Sequence, residues 1–142
     1  MDRNKIIPAV YIFLIRNNQI LLLKRKNSGY MDGYYSLVAG HIEKSEFPID
    51  TCIREAFEEI GVNIKKQDLK FKVVGHQSGV VDRVDYFFEC INWEGEIKIQ
   101  ELDKCDDLSW FDIDKLPANT TPYVLLALKC YQDNQSYFEF NG

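Results

Sequence analysis

Glu55, Glu58 and Glu59, three glutamates within five positions, are the residues whose type and spacing most directly suggest chemistry. On a helix, residues three and four apart lie on one face, and Glu55 and Glu59 then form a like-charge pair that destabilises the helix by about 0.2–0.5 kcal/mol. The three carboxylates are either a solvated acidic face or a site for a hard cation such as Mg²⁺, which takes oxygen ligands and keeps water or phosphate in its shell. Their spacing alone leaves both interpretations open.

A helix has to position these carboxylates, and the surrounding apolar residues predict one over residues 49–60. Apolar side chains recur there at steps of three and four, which is typical of a helix with one buried stripe. The pattern puts the glutamates on the far side of that helix. Ser45 is the predicted cap, Pro48 falls in the first turn, and Gly61 is the predicted end. The predicted buried stripe is Ile49, Ile53, Ala56, Phe57 and Ile60.

The stretch from Gly40 to Val62 resembles the signature of the Nudix hydrolases, G-x5-E-x7-R-E-U-x-E-E-x-G-U, where U is an aliphatic residue. Every fixed position is filled, and Ala56 and Val62 stand at the two U positions. The segment before the signature often ends in Leu-Pro-Gly-Gly in that family, whereas this chain has Leu-Val-Ala-Gly, which removes no catalytic side chain but could alter the shape of the loop. The filled positions are Gly40, Glu46, Arg54, Glu55, Glu58, Glu59 and Gly61.

The resemblance implies a divalent-cation site, filled by Mg²⁺ or by Mn²⁺, which suits carboxylates equally. Its implied ligands are Glu55, Glu58, Glu59 and the backbone of Gly40, where the chain is also free to turn sharply. The implied catalytic residues are Arg54, Glu55, Glu58 and Glu101. Glu58 and Glu101 compete for the part of general base, and Arg54 would fix the rotamer of a neighbouring glutamate. The alternatives are a surface ion pair for Arg54 and a plain surface glutamate for Glu101.

Two further residues are candidate substrate contacts. Arg25, in the basic cluster 24–26, suits a bidentate phosphate contact, and the alternative is a solvated strand end. Glu46 would orient the loop or lie near the metal. A base or sugar in the site would need an aromatic side chain to stack on, and the candidates are Tyr30, Tyr34, Phe87 and Trp110. For each of them the alternative is a place in the hydrophobic core. His41 and His76 are interpreted as structural or surface residues, because Mg²⁺ prefers oxygen.

The downstream half narrows the resemblance to small Nudix nucleotide pyrophosphohydrolases. Their E-P-x-K-C, W-F and L-P pattern is matched by segments 101–105, 110–111 and 116–117, with Leu102 in place of the proline. The implied reaction is metal-dependent hydrolysis of a nucleoside diphosphate linked to a moiety X, with a nucleoside triphosphate giving monophosphate and pyrophosphate as the preferred case. The alternatives are ADP-ribose or a nucleotide sugar as the substrate, and a sensor of the same fold that binds nucleotide without hydrolysis.

Composition excludes several other classes. The chain has 142 residues, of which 46% are hydrophobic, and this suits one domain, residues 1–142, with a sizeable core. Its net charge of −5 argues against a nucleic-acid polymer as partner, and no apolar run long enough for a membrane span is present. Four scattered cysteines without zinc spacing predict reduced thiols in the cytoplasm. The expected partner is a small nucleotide, and a homodimer stays open.

Strand patterns surround the central helix. Residues 9–15 and 19–24 are predicted to form a hairpin around Asn17 and Asn18, with the first strand buried on both faces because it does not alternate. Strands before and after one central helix, followed by a terminal helix, favour a mixed α/β (α+β) sandwich. The resemblance implies the Nudix α/β/α fold, a mixed sheet between helices. The other predicted strands are 34–38, 69–75, 84–91, 97–99 and 108–111; the last helix is capped by Asn119 or Thr120, and 137–142 is a tail or short strand.

Overall fold

The computed structural model describes residues 3–142. These residues form eight β-strands and two α-helices. A 3₁₀ turn at Lys66–Asp68 follows the first helix. The elements are β1 (Ile6–Arg16), β2 (Gln19–Arg25), β3 (Tyr35–Ser36), β4 (Val38–His41), α1 (Pro48–Ile60), β5 (Leu69–Ser78), β6 (Asp82–Cys90), β7 (Cys105–Asp112), α2 (Pro122–Gln132) and β8 (Tyr137–Asn141).

Strand β1 is the centre of the molecule. Its residues 9–14 are all buried, and they alternate between two hydrophobic cores. Val10 and Ile12 face the core under α1, whereas Tyr11 and Phe13 face the core under α2. A strand covered on both faces needs no polar alternation, so the prediction of a doubly buried strand is confirmed.

The sheet is mixed, with one helix on each face. Strand β1 pairs antiparallel with β4 along its first half and with β2 at its end, and it runs parallel to β6. Beyond β6 lie β5 and then β8, which is parallel to β5, while β7 and β3 flank β2. The α/β/α sandwich implied by the resemblance is therefore confirmed, and no helix in residues 3–142 is long and apolar enough to span a membrane.

The N-cap of the central helix differs from the prediction, whereas its first turn and its end agree with it. Its N-cap is Phe47, whose backbone N–H donates to the Asp50 carboxylate, and Ser45 lies outside it with a positive φ of 72°. Pro48 occupies the first turn and Gly61 ends the helix in the left-handed conformation, both as predicted.

The buried stripe of α1 is shifted from the one that the sequence pattern predicts. It runs along Cys52, Ala56 and Ile60, and Phe57 is 57% exposed. At about 100° per residue, Phe57 lies about 140° from Cys52 around the helix, whereas Glu59 lies only about 20° from it. Glu59 and Glu55 therefore flank the buried face instead of lying on the far side, whereas Glu58 lies about 120° from Cys52 and is exposed. This position brings Glu59 against the sheet.

Some connections also differ from the sequence-based expectation. Residues 97–99 form no strand; their segment crosses the end of α1, where Lys98 N–H and Gln100 N–H donate to the free carbonyls of Ile60 and Glu59. The predicted strand 34–38 is split into β3 and β4. The predicted strand 69–75 extends to Ser78 as β5, and β6 begins at Asp82, so only residues 79–81 connect them. The C-terminal segment forms strand β8. The N-cap residue of α2 is Thr121, so neither predicted cap, Asn119 or Thr120, occupies that position.

Candidate active site

Arg54 joins the predicted site residues to one another. Its Nε and Nη2 donate to the two carboxylate oxygens of Glu46 at 2.8 and 3.0 Å. Its Nη1 donates to Glu55 at 2.7 Å and to Glu58 at 3.0 Å. Nη2 also reaches the carbonyl of His41, 3.2 Å away. Helix α1 therefore meets strand β4 and the intervening loop through one half-buried guanidinium, which fixes the rotamers of Glu55 and Glu58 together.

Glu46 is held by protein donors on both oxygens. Besides Arg54, it accepts hydrogen bonds from the Thr51 hydroxyl at 3.0 Å and the Glu43 N–H at 2.9 Å. The Arg54 hydrogen bonds and these donors lower the pKa of Glu46 to about 2, so it is ionised at neutral pH. The structure places Glu46 as the residue that orients Arg54 and the loop before α1, and it lies outside the cleft described below.

Gly40 lies inside strand β4 and makes no sharp turn, contrary to one of the two uses suggested for it. It sits directly against Glu55. A Cβ added at Gly40 would lie 2.5 Å from Glu55 Cγ and closer still to the carboxyl group. The missing side chain thus provides the space in which the Glu55 carboxylate lies, and this close approach gives the glycine its physical reason.

Glu55, Glu59 and Glu101 form an acidic cluster in which the charge of one carboxylate acts on the next. Burial and the neighbouring Glu55 raise the pKa of Glu59 well above its ordinary value, although Ala39 N–H donates to its carboxylate at 3.3 Å. Burial, followed by the charges of Glu55 and Glu58, also raises the pKa of Glu101. Loop residue Glu101 therefore lies close enough to the helix carboxylates for their charges to act on it, and its part as general base stays a prediction.

The donor chemistry of this cluster fits a hard divalent cation. Carboxylate oxygens are the preferred ligands of such ions, and a cation would offset the burial and the repulsion that raise the pKa values of Glu59 and Glu101. Within residues 3–142, however, no three carboxylate, histidine or cysteine side chains are already arranged to hold a metal ion. Arg54 Nη1 donates to one oxygen of Glu55 and to Glu58, and both carboxylates keep lone pairs that a cation could use. The roles of Glu55, Glu58, Glu59 and Gly40 as ligands stay predictions.

A cleft of about 190 Å³ opens beside the acidic cluster. Glu59 and Glu101 line one part of it, and Arg25, Lys24 and Lys104 bring positive charge to the rest. Its wall is stabilised by contacts between two loops: Lys26 N–H donates to the Lys104 carbonyl, Lys26 Nζ to that of Leu102, and Asn27 to that of Asp103. The cleft therefore combines carboxylates for a cation with cationic side chains for phosphate.

Arg25 is partly committed to its own loop. Its Nε donates to the Tyr30 carbonyl at 2.8 Å and its Nη2 to the Ser28 hydroxyl at 3.1 Å. It nevertheless lines both this cleft and a neighbouring cavity beside Gly40. That position keeps a phosphate contact open to Arg25, and the contact stays a prediction.

The sequence did not predict a hydrogen-bonded group of polar side chains that lies between strands β1 and β6. Arg83 donates through Nη2 to the Tyr11 hydroxyl at 2.7 Å and to Asp85 at 3.3 Å, and Asp85 is buried. Burial raises the pKa of Asp85, and the charge of Arg83 opposes that shift. The available signal was Asp85 itself, because an aspartate in a strand with otherwise buried apolar neighbours needs a partner.

The four aromatic residues considered for stacking on a base or sugar differ in their exposure and in their distance from the site. Phe87 is fully buried, and Trp110 stacks on Trp93 with Arg16 over its ring, so both are structural. Tyr30 and Tyr34 are exposed, and only Tyr30 of the four candidates lines a cavity next to Gly40.

Replacing Arg54 by lysine is expected to lower turnover about tenfold, in the range seen when outer partners of a metal site are lost. A lysine ammonium has no planar fork and cannot hold Glu46, Glu55 and Glu58 at once. The measurement is steady-state kcat with saturating divalent cation, together with the melting temperature. Lys129→Arg is the control, since Lys129 forms an exposed ion pair with Asp133 on α2. Equal kcat in Arg54→Lys and the parent would show that the guanidinium bridge has no part in turnover.

The sequence is similar to those of known proteins. Residues 5–129 match the family model of the NUDIX domain. The NAD-capped RNA hydrolase NudC of Chromobacterium violaceum is 31% identical over 120 residues, covering 83% of this chain and 42% of the relative. That of Pseudomonas syringae pv. tomato is 28% identical over 113 residues, covering 80% and 38%. The chain spans about two fifths of the length of these curated relatives.

Solved structures give the same result for the fold. A MutT NUDIX hydrolase from Burkholderia pseudomallei superposes with a TM-score of 0.80 at 25% identity, covering 89% of this chain and 98% of that one. A MutT protein from Methanosarcina mazei also has a TM-score of 0.80, at 17% identity, covering 94% and 97%. Their architecture matches the sheet and helices described above over nearly the whole chain.

Proposed function

The chain belongs to the Nudix hydrolase family, and from this premise we propose that it hydrolyses a pyrophosphate bond in a nucleoside diphosphate linked to X, using a divalent cation. The observation that carries the proposal is the meeting of Glu55, Glu59 and Glu101 beside a cleft that also contains Arg25 and Lys104. Carboxylates that repel one another suit a cation, and the adjacent basic side chains suit the phosphates of the substrate.

The protein residues divide the work as follows in this proposal. Glu55, Glu58 and Glu59, with the backbone of Gly40, hold Mg²⁺ or Mn²⁺; the bound cation would neutralise phosphate oxygens and lower the pKa of a water. Arg54 orients Glu55 and Glu58, and Glu46 orients Arg54. Arg25 contacts phosphate. Glu58 or Glu101 accepts the proton of the attacking water, and the raised pKa of Glu101 brings it nearer to the range of a general base.

A nucleoside triphosphate, giving monophosphate and pyrophosphate, is the first substrate class in the proposal. The support is the pattern around Glu101, Lys104 and Cys105, which resembles that of small nucleotide pyrophosphohydrolases. Dinucleotides form the second class, because the curated relatives are named NAD-capped RNA hydrolases. We also propose that residues 1–142 act as a single domain. The four free cysteines favour the reducing cytoplasm.

The test is hydrolysis of a panel of nucleoside triphosphates, dinucleotides, ADP-ribose, nucleotide sugars and an RNA with a dinucleotide cap. Each is incubated with Mg²⁺, with Mn²⁺ and with chelator, and the products are identified by mass. Cation-dependent release of monophosphate and pyrophosphate from a triphosphate supports the first class. Cleavage of another substrate alone keeps the reaction and overturns that preference. Tight nucleotide binding without cleavage of any substrate would overturn the enzyme proposal in favour of a sensor.

A further inference from the structure

Glu101 lies in a long segment with almost no regular structure. Between β6 and β7, residues 91–104 contain no helix and no strand, apart from one isolated bridge at Glu94. A loop of this length can adopt many conformations, so a side chain near its end is placed only as well as individual contacts hold it. The position of Glu101 in the cleft therefore depends on the hydrogen bonds on either side of it.

The chain before Glu101 is attached to the end of α1. Lys98 N–H and Gln100 N–H donate, each at 3.0 Å, to the carbonyls of Ile60 and Glu59. Gln100 directly precedes Glu101, so the backbone that leads into Glu101 is attached to Glu59, which lines the same cleft. The chain on the other side of Glu101 needs a separate support.

The chain after Glu101 forms a tight turn that rests on the loop between β2 and β3. The Glu101 carbonyl accepts from Lys104 N–H at 3.0 Å and from Cys105 N–H at 3.1 Å, which closes the turn. The three successive carbonyls of residues 102–104 each accept a hydrogen bond from residues 26–27, at 3.3, 3.2 and 3.0 Å in chain order. Glu101 is therefore held on one side by α1 and on the other by the loop after β2.

Asn27 makes the most rigid side-chain contact between the two loops. Its Nδ2 donates to the Asp103 carbonyl at 3.2 Å, and its own carbonyl accepts from Lys104 Nζ at 3.3 Å. The Asn27 side chain is short, whereas Lys26 reaches the Leu102 carbonyl through a long and flexible stem. The backbone of Asn27 has a positive φ of 51°, a conformation in which asparagine is enriched. Both the backbone and the side chain of Asn27 thus fit this contact.

The loop that supports Glu101 also carries Arg25, the proposed phosphate contact. Arg25 N–H donates to the Tyr34 carbonyl and Gly33 N–H donates to the Arg25 carbonyl, both at 2.8 Å, so the base of this loop is closed. Arg25 and Glu101 line the same cleft. The contacts of Asn27 therefore connect a cationic side chain for phosphate with a carboxylate of the acidic cluster.

We propose that Asn27 is a positioning residue for Glu101, because its hydrogen bond to the Asp103 carbonyl holds the turn that presents the Glu101 carboxylate to the cleft. This inference rests on the proposed function, in which Glu101 takes part in hydrolysis. Asn27 itself does not line the cleft, so its contribution to turnover passes through the turn after Glu101. Loss of Asn27 and loss of the Glu101 carboxylate then affect the same step.

The experiment is a double-mutant cycle of Asn27→Gly and Glu101→Gln, with Asn18→Gly as the matched control. Glycine accepts a positive φ, so Asn27→Gly removes the side-chain hydrogen bond without straining the backbone. Asn18 is also exposed and has a positive φ of 62°, but it lies in the hairpin between β1 and β2.

Asn27→Gly is expected to lower kcat about tenfold at nearly constant KM, in the range seen when outer partners of a metal site are lost. Asn18→Gly should keep the parent values. In the Glu101→Gln background, Asn27→Gly should change kcat less than about twofold, because the carboxylate that it positions is already absent.

Amide hydrogen exchange tests the turn without catalysis. Lys104 N–H and Cys105 N–H donate to the Glu101 carbonyl, and they should exchange at least about threefold faster in Asn27→Gly than in the parent and in Asn18→Gly. Gln100 N–H is held by the end of α1 and should keep its exchange rate.

The outcomes separate this inference from the proposed function. An equal loss of kcat on Asn27→Gly in the parent and in the Glu101→Gln background would show that Asn27 acts elsewhere, and would overturn the inference. Parent kcat in Asn27→Gly or in Glu101→Gln would also overturn it, even in a protein that hydrolyses nucleotides. If the parent cleaves no substrate of the panel, faster exchange confined to Lys104 and Cys105 would support the contact and overturn only the enzyme proposal, whereas unchanged exchange would overturn both.

Discussion

Glu58→Gln is expected to reduce kcat by at least about a hundredfold while the fold stays intact, as is typical for loss of a metal ligand or general base. Glutamine has the shape of glutamate and keeps an oxygen that can accept from Arg54 Nη1, now 3.0 Å from Glu58. The substitution therefore removes the charge and the proton-accepting oxygen with little change in packing. The measurement is kcat at saturating Mg²⁺ on the best substrate, with melting temperature recorded on the same samples.

The control for this charge change is Glu94→Gln. Glu94 is also an exposed partner in an ion pair, with Lys65 at 3.1 Å, but it lies away from the cleft. Its kcat should match that of the parent. Glu101→Gln completes the series. Because Glu58 is also a proposed metal ligand, its own loss does not identify the base, whereas a loss of similar size in Glu101→Gln at saturating Mg²⁺ points to Glu101 as the general base. Turnover of Glu58→Gln at the parent rate would show that this face of α1 does not take part in the reaction.

Stability should move in the opposite direction from activity in Glu58→Gln. The three glutamates lie in the last turns of α1, where the negative end of the helix dipole disfavours acids, and the last turn contains no basic residue. Removing one charge should leave the melting temperature unchanged or raise it slightly. Three acidic residues near the C-terminal end of a helix lower its stability, and destabilising residues of this kind are common at functional sites.

The sequence predicts those features that local chemistry determines. Pro48 at the first turn, Gly61 at the end of α1 and the Asn17–Asn18 hairpin all follow from the backbone preferences of the residues themselves, and Asn17 and Asn18 have the positive φ of 52° and 62° that this turn requires. The doubly buried β1 follows from its unbroken apolar run. The Nudix fold was implied by the family resemblance, which the glutamates, Arg54 and the two glycines carry.

Features that depend on contacts between distant segments were not predictable in this way. The 97–99 segment has the composition of a strand, yet its N–H groups satisfy the end of α1. Glu59 lies against the sheet because α1 packs on β4, where Ala39 N–H donates to its carboxylate. A stripe counted on the helix alone could not show this contact, and it wrongly included Phe57. Arg83 and Tyr11 are 72 residues apart and meet because β1 and β6 are paired. Such contacts require the register of the sheet.

Gly40→Ala is expected to lower kcat about a hundredfold with little loss of stability. The new Cβ would overlap the Glu55 carboxyl group, which is the end of a flexible side chain and can rotate away at small energetic cost. Rotation, however, takes the carboxylate from Arg54 Nη1 and from its place beside Glu59, and misplacement by about 1 Å is enough to reduce turnover about a hundredfold. The measurements are kcat, the cation concentration for half-maximal activity, and melting temperature.

Gly75→Ala separates this local effect from a general response to added volume. Gly75 lies in β5, and its new Cβ would be 2.6 Å from Cε1 of Phe138, a ring packed against the core under α2. A ring in a packed core cannot move freely, so overpacking should destabilise the protein by about 1–3 kcal/mol. Turnover per folded molecule should be retained, because Gly75 does not line the cleft. If Gly40 acts through Glu55, Gly40→Ala loses kcat and keeps its melting temperature, whereas Gly75→Ala keeps kcat and loses melting temperature. A lower melting temperature with parent kcat in both variants would show that Gly40 is only a packing residue.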